Sequence, residues 1–136
     1  MADTFQLEVA TPERLWVDEQ VSEAQLPGKN GYMGILAGHA PLLSALGAGL
    51  LSYRDGGGEH TIVIAGGFVE ISDNHVRVLA DNAELPQDVQ EDVARKDLDA
   101  ASEELEKAQT EEESTHAVEA MRRAQARLDA AHGQKT

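Results

Sequence analysis

Apolar residues recur at every second position over most of the first 81 residues, and at every third or fourth position after Pro86. That change of period constrains the fold more than any motif does, because one layer of secondary structure cannot satisfy both. "FQLEVA" (5–10) places Phe5, Leu7 and Val9 on one side and Gln6 and Glu8 on the other, the alternation of a half-buried strand. "HTIVIAGG" (60–67) is rich in β-branched residues, and "FVEIS" (68–72) and "HVRVLA" (75–80) alternate again. Turn signals recur at Thr11-Pro12, Pro27-Gly28, Asp55-Gly56-Gly57-Gly58 and Asp73-Asn74, and the last two separate strand-like runs as hairpin loops do. Short strands at this spacing predict an antiparallel β-sandwich or flattened barrel over residues 1–85.

Beyond Pro86, Val89, Val93, Leu98, Ala101, Leu105 and Ala108 follow helical spacing, as do Ala117, Met121, Ala124, Leu128 and Ala131. Asp88 with Glu91 resembles a capping box. The break falls at "QTEEEST" (109–115), where Glu111, Glu112 and Glu113 suit the positive end of a second helix. Arg122, Arg123 and Arg127 lie toward its negative end, and Gly133 supplies a stop. Residues 86–136 are therefore expected to form a helical hairpin of two helices, each roughly 30 Å long. Its shared face is mostly alanine. If that face buries on the order of 300 Å², burial contributes about 7 kcal/mol gross, and the entropy of ordering the hairpin opposes most of it. Such a tail could undock and serve as a switch.

The 136 residues carry a formal net charge of −14, which repels phosphate backbones and anionic lipid. Nucleic acid and direct membrane insertion are poor expectations; a basic or mixed-charge protein partner is a better one. No apolar run approaches the roughly 18 residues of a membrane span, and the N-terminal stretch does not resemble a signal peptide. There is no cysteine, hence no disulfide, thiolate nucleophile or zinc–thiolate site.

Chemistry is sparse. The five histidines, His39, His60, His75, His116 and His132, show no metal-ligand spacing, so no metal site is expected. "GAG" (47–49) and "GGG" (56–58) lack the lysine of a phosphate loop and read as turns, and "AGG" (65–67) reads as a bulge or strand corner. "GILAGHAPLL" (34–43) is the exception: Gly34 and Gly38 permit tight turns, and Pro41 restricts Ala40, so His39 is displayed on a constrained loop. From the residues alone, His39 is a satisfied structural side chain, an interface contact or a catalytic group.

"VATPER" (9–14), "LPGKNGYMGILAGHAPLLSAL" (26–46), "AGGFVEISDNHVRVLADNAE" (65–84) and "RRAQARL" (122–128) together resemble the epsilon subunit of bacterial F-type ATP synthases, the equivalent of mitochondrial delta. The resemblance covers nearly the whole chain. It implies a sandwich of about ten strands followed by a two-helix domain, and a non-catalytic place in the central stalk, where proton flow through the c-ring is coupled to ATP synthesis. It further implies a peripheral position at the cytoplasmic face of the bacterial inner membrane. Gly38, His39, Ala40, Pro41 and Leu42 would then dock on the gamma subunit, and Lys29, Asn30, Gly31 and Tyr32 would face the c-ring. The helices, through Arg122, Arg123 and Arg127, would extend along gamma into the catalytic alpha/beta head and inhibit ATP hydrolysis. Arginine pairing with the acidic first helix is the plainer reading of the same three side chains.

The chain departs from the family pattern twice. Tyr32 stands where a carboxylate is common, so a c-ring contact there would be aromatic and hydrogen-bonding. The family's ATP-binding motif at the first helix is altered, Gln90 replacing its Asp and Val93 its Arg, although Glu84, Arg123 and Arg127 match ligand positions. A triphosphate site without that Arg loses about 1.5–3 kcal/mol, so ATP is expected to bind weakly or not at all, and no cofactor is expected. Two other readings stay in view: a nucleotide sensor built on the hairpin, and an enzyme using His39 with an acid.

Overall fold

The computed structural model describes residues 3–133; residues 1–2 and 134–136 of the expected segments lie outside that range. Seven strands form one continuous sheet: β1 (Phe5–Ala10), β2 (Leu15–Val21), β3 (Glu23–Gly28), β4 (Gly31–Leu36), β5 (Leu42–Asp55), β6 (Gly58–Ser72) and β7 (His75–Glu84). Their order is β2-β1-β7-β6-β5-β3-β4. All neighbours are antiparallel except β1 and β7.

The sheet becomes a sandwich because its three longest strands bend. Along β5, Leu46 faces the core at an even position, whereas Leu51 and Tyr53 face it at odd ones. Along β6 the phase changes in the same way, from Ile62 and Ile64 at even positions to Val69 and Ile71 at odd ones. The change coincides with Gly66 and Gly67, at φ +75° and +118°, a region that disfavours side chains. There is also no room: a Cβ on Gly67 would run into the backbone of Leu79. The corner expected at "AGG" is thus real, but it lies inside one strand and does not separate two. The same bend carries into β7, so each of these three strands serves both layers, and counting each half separately recovers the expected ten. Phe5, Leu7, Val9, Leu26, Ile35, Val69 and Val78 fill the space between the layers, almost wholly buried.

A 3-10 turn (Pro86–Asp88) leads into α1 (Glu91–Lys107) and α2 (Glu111–Ala131). The box expected at Asp88 and Glu91 is absent: α1 is capped at Gln90 with no side-chain bond, because Asp88 closes the 3-10 turn instead. The box is at the second helix, where Thr110 Oγ1 accepts from the Glu113 N–H and Glu113 accepts from the Thr110 N–H. Gly133, at φ +73°, follows the last turn as expected. α2 lies between the sheet and α1. Ala126 and Ala130 pack on Leu50 of β5 and Val63 of β6, with Val89 beside them. The central residues of β5 and β6 are therefore buried on both faces, which is why "LL" and "TIVIA" read as continuous apolar runs.

Candidate docking surfaces

The loop carrying His39 is fixed by the β6–β7 turn. Asp73 and Asn74 both adopt left-handed backbone (φ +50° and +59°), the geometry of a two-residue hairpin turn. This aims the Asn74 side chain outward. Its Oδ1 accepts from the Gly38 N–H at 2.9 Å and its Nδ2 donates to the Thr4 carbonyl at 2.8 Å. Gly38 itself needs its φ of +80°. His39 is half-buried, with Nδ1 2.7 Å from the Ala40 carbonyl, while Gly38, Ala40 and Pro41 are exposed and Leu42 begins β5. Among the described residues no carboxylate lies within ion-pair distance of His39. The loop has a displayed surface and no acid–base pair.

Beside it runs a surface the alternation analysis passed over. Leu15, Leu79, Phe68 and Leu43 are 51%, 54%, 57% and 73% exposed. Phe68 pairs with Leu79 across β6 and β7, Leu79 with Ala10 of β1, and Ala10 with Leu15 of β2. Strands β2, β1, β7 and β6 thus carry one apolar row on the face turned away from the core, and Leu43 of β5 flanks it diagonally, opposite Glu70. The signal was present in the sequence: Phe68 and Leu79 occupy the phase that Glu70 and Arg77 mark as solvent-facing. A row of this kind on a strand face marks an interaction surface.

Lys29 and Asn30 form the tip of the β3–β4 hairpin, closed by the Gly28–Gly31 pair. Tyr32 leans back from the tip. Its hydroxyl accepts from the Leu50 N–H at 3.0 Å, a donor freed where the β3–β5 register shifts between Gln25 and Gly28. Gly49 makes this possible, since a Cβ there would stand 2.5 Å from the Tyr32 hydroxyl. Only the ring of Tyr32 faces outward, together with Lys29 and Asn30.

On the hairpin, the three arginines part ways. Arg127 is bidentate to Glu84 of β7 (2.8 and 3.2 Å) and reaches Asp97 of α1 at 3.5 Å, so one side chain ties three elements together. Glu84 in turn raises its affinity for its proton. Arg122 and Arg123 are exposed, with no ion pair among the described residues. Glu84, Arg123 and Arg127 line one shallow cleft of about 250 Å³ with Val63 and Asn82. Of the three groups there able to grip a nucleotide, Glu84 and Arg127 already hold each other, and Arg123 alone has no ion pair among the described residues. Gln90 caps α1 and Val93 is 38% exposed.

The family described as "ATP synthase, Delta/Epsilon chain, beta-sandwich domain" matches residues 4–86. The ATP synthase epsilon chain of Solibacter usitatus (strain Ellin6076) is 46% identical over 135 residues, covering 94% of this chain and 96% of the relative. That of Nitratidesulfovibrio vulgaris (strain DP4) is 41% identical over 128 residues, with the same coverage. The fold is also that of a chain in the cryo-EM structure of the Euglena gracilis mitochondrial ATP synthase, OSCP/F1/c-ring in rotational state 1, with TM-score 0.80 at 23% identity over 97% of this chain and 83% of that one.

Proposed function

We infer the working of this chain from one premise: it belongs to the ATP synthase delta/epsilon chain family. It is a non-catalytic subunit of the central stalk, in the complex that couples ion translocation to ATP synthesis. No helix among the described residues is long and apolar enough to cross a membrane. Our reading is that the complex holds it peripherally, at the cytoplasmic face of the bacterial inner membrane.

Within that role, the sandwich is the anchor. The apolar row of Leu15, Leu79 and Phe68, with Leu43 flanking it next to the loop Gly38, His39, Ala40, Pro41 and Leu42, is the docking face for gamma. That row is the observation carrying the proposal, because a rotor subunit must transmit torque through a face that does not slip, and desolvated apolar contact supplies it. Lys29, Asn30, Gly31 and the Tyr32 ring face the c-ring. Phe68→Asp should weaken binding to purified gamma tenfold or more, while Val93→Asp on α1 leaves it unchanged. Unchanged affinity of a folded Phe68→Asp chain would remove gamma from this face.

The hairpin is the brake. Its apolar contact with the sandwich centres on two alanines against Leu50 and Val63, joined by the Arg127–Glu84 pair, so extension along gamma gives up little apolar burial. Arg122 and Arg123 have no ion pair among the described residues in the docked form and are available to acidic surfaces of the alpha/beta head; Arg127 joins them on release. ATP does not set this equilibrium: a nucleotide would have to break the Arg127–Glu84 pair and lacks the first-helix cation that Val93 replaces. Millimolar ATP should leave the melting temperature of the isolated chain unchanged, and a saturable rise would favour the nucleotide sensor.

A further inference from the structure

Two residues along the strands from the apolar row, about 7 Å away, lies a second outward row. Register sets Leu43 opposite Glu70, Glu70 opposite Arg77, Arg77 beside Glu8, and Glu8 opposite Asp18. Three carboxylates thus share one guanidinium. Arg77 stands between two of them, 3.6 Å from Glu8 and 3.7 Å from Glu70, in ion-pair range of both and at hydrogen-bonding distance from neither. His75 Nε2 lies 2.7 Å from the other oxygen of Glu8. Asp18 is left out of this network. Among the described residues it has no ion pair, and its side chain accepts only from the Gln6 amide.

The Glu8–Asp18 pair works against the fold. Like charges directly opposite on neighbouring strands are destabilising, and position 18 is exposed, so packing does not dictate an acid there. Edge protection does not account for it either. β2 is an edge strand, where a charge discourages further pairing, but a lysine at 18 would guard the edge and attract Glu8 where Asp18 repels it. A cation brought between the two carboxylates turns their repulsion into charge-assisted contacts. The apolar row beside them marks the surface from which that cation comes.

We propose that gamma presents a basic side chain, arginine or lysine, to the Glu8–Asp18 pair, and that this contact sets the register in which the two apolar surfaces meet. The proposal rests on the reading that gamma docks on this face and adds to it the chemistry of recognition. An apolar row alone fixes no position along its own length. A charge pair at its β1–β2 end does, because a partner that slides past leaves its cation and both carboxylates unmatched. The formal charge of −14 on the chain attracts a basic surface from a distance; the pair selects where it settles.

The test is binding of purified gamma to the full chain at low and at high salt, beside the thermal midpoint of each variant. Asp18→Asn keeps the shape and the bond from Gln6 while removing the repulsion. It should leave the midpoint unchanged or higher and weaken gamma about fivefold. Asp18→Lys pairs with Glu8 in place of the partner's cation. It should raise the midpoint, weaken gamma about twentyfold or more, and remove most of the salt dependence of binding. Undiminished binding by a folded Asp18→Lys chain overturns the proposal, as does a weaker Asp18→Asn chain whose midpoint has also fallen. Phe68→Asp separates this result from the reading beneath it. If Phe68→Asp weakens gamma and Asp18→Lys does not, the apolar face stands and the basic contact falls. If neither weakens it, gamma docks elsewhere and both fall.

Discussion

Tyr32 shows how a residue's role depends on partners that are distant in sequence. Its hydroxyl satisfies the Leu50 N–H that the β3–β5 register shift leaves without a strand partner. Tyr32→Phe should therefore cost about 1–2 kcal/mol in denaturant unfolding, although the ring is 45% exposed; an unchanged midpoint would mean that another group takes the donor. Thr61 runs the other way: its buried hydroxyl has no hydrogen-bond partner among the described residues, and Thr61→Val should raise stability by about 1 kcal/mol. Neither effect is legible from local sequence. The contacts join residues 18 positions apart or depend on what fails to reach a hydroxyl. Glu91 gives the pH dependence of the hairpin. Its carboxyl is held below the usual range, first by His132 and then by Arg95. A depressed carboxylate contributes stability that is complete above its unfolded value near 4.5 and is lost as pH falls through the folded one. Acid should thus loosen the hairpin, and Glu91→Gln should flatten that acid limb in a helicity titration; an unaltered limb would assign it elsewhere.

Among the elements, β1 and both helices were readable because their periods are pure. β6 and β7 were readable as strands, but β6 as two, since the bend at Gly66 and Gly67 resembles an ending when seen along the chain; β5 was not, because "GAG" (47–49), which reads as a turn, lies inside it. The β-branched run of β6 is covered on its second face by α2 at Val63, and so is Leu50 of β5. Helix capping shows the limit of spacing arguments. Asp88 and Glu91 have a box's interval, but the intervening turn is 3-10; Thr110 and Glu113 have the same interval and form the box. Thr110→Ala should cost about 1 kcal/mol of hairpin stability, seen as a lower midpoint in the helical thermal transition, whereas Asp88→Ala should not. Equal effects would contradict this assignment. Of the docking residues, the loop at His39 was visible through its glycines and proline. The neighbouring row was obscured because Leu15, Leu79 and Phe68 come from three strands and meet only once register is known.

At the scale of the whole molecule, two parts of unequal strength share one small contact. The sandwich has a filled interior and a paired sheet; the hairpin leans on it through Ala126, Ala130 and the Arg127–Glu84 pair. This asymmetry is what the proposed brake requires, an anchor that stays folded while the tail moves. The absence of cysteine from the chain allows a direct test. A cysteine pair placed across the Leu50, Val63, Ala126 and Ala130 cluster would join α2 to the sheet when oxidised and free it when reduced. The measurement is ATP hydrolysis by a gamma-containing catalytic head lacking this subunit, with the cysteine variant added in each state. The account predicts that both states bind, that the reduced chain slows hydrolysis, and that the oxidised chain does not. Equal inhibition by the locked and unlocked chains would contradict it, because the helices could then act without leaving the sandwich.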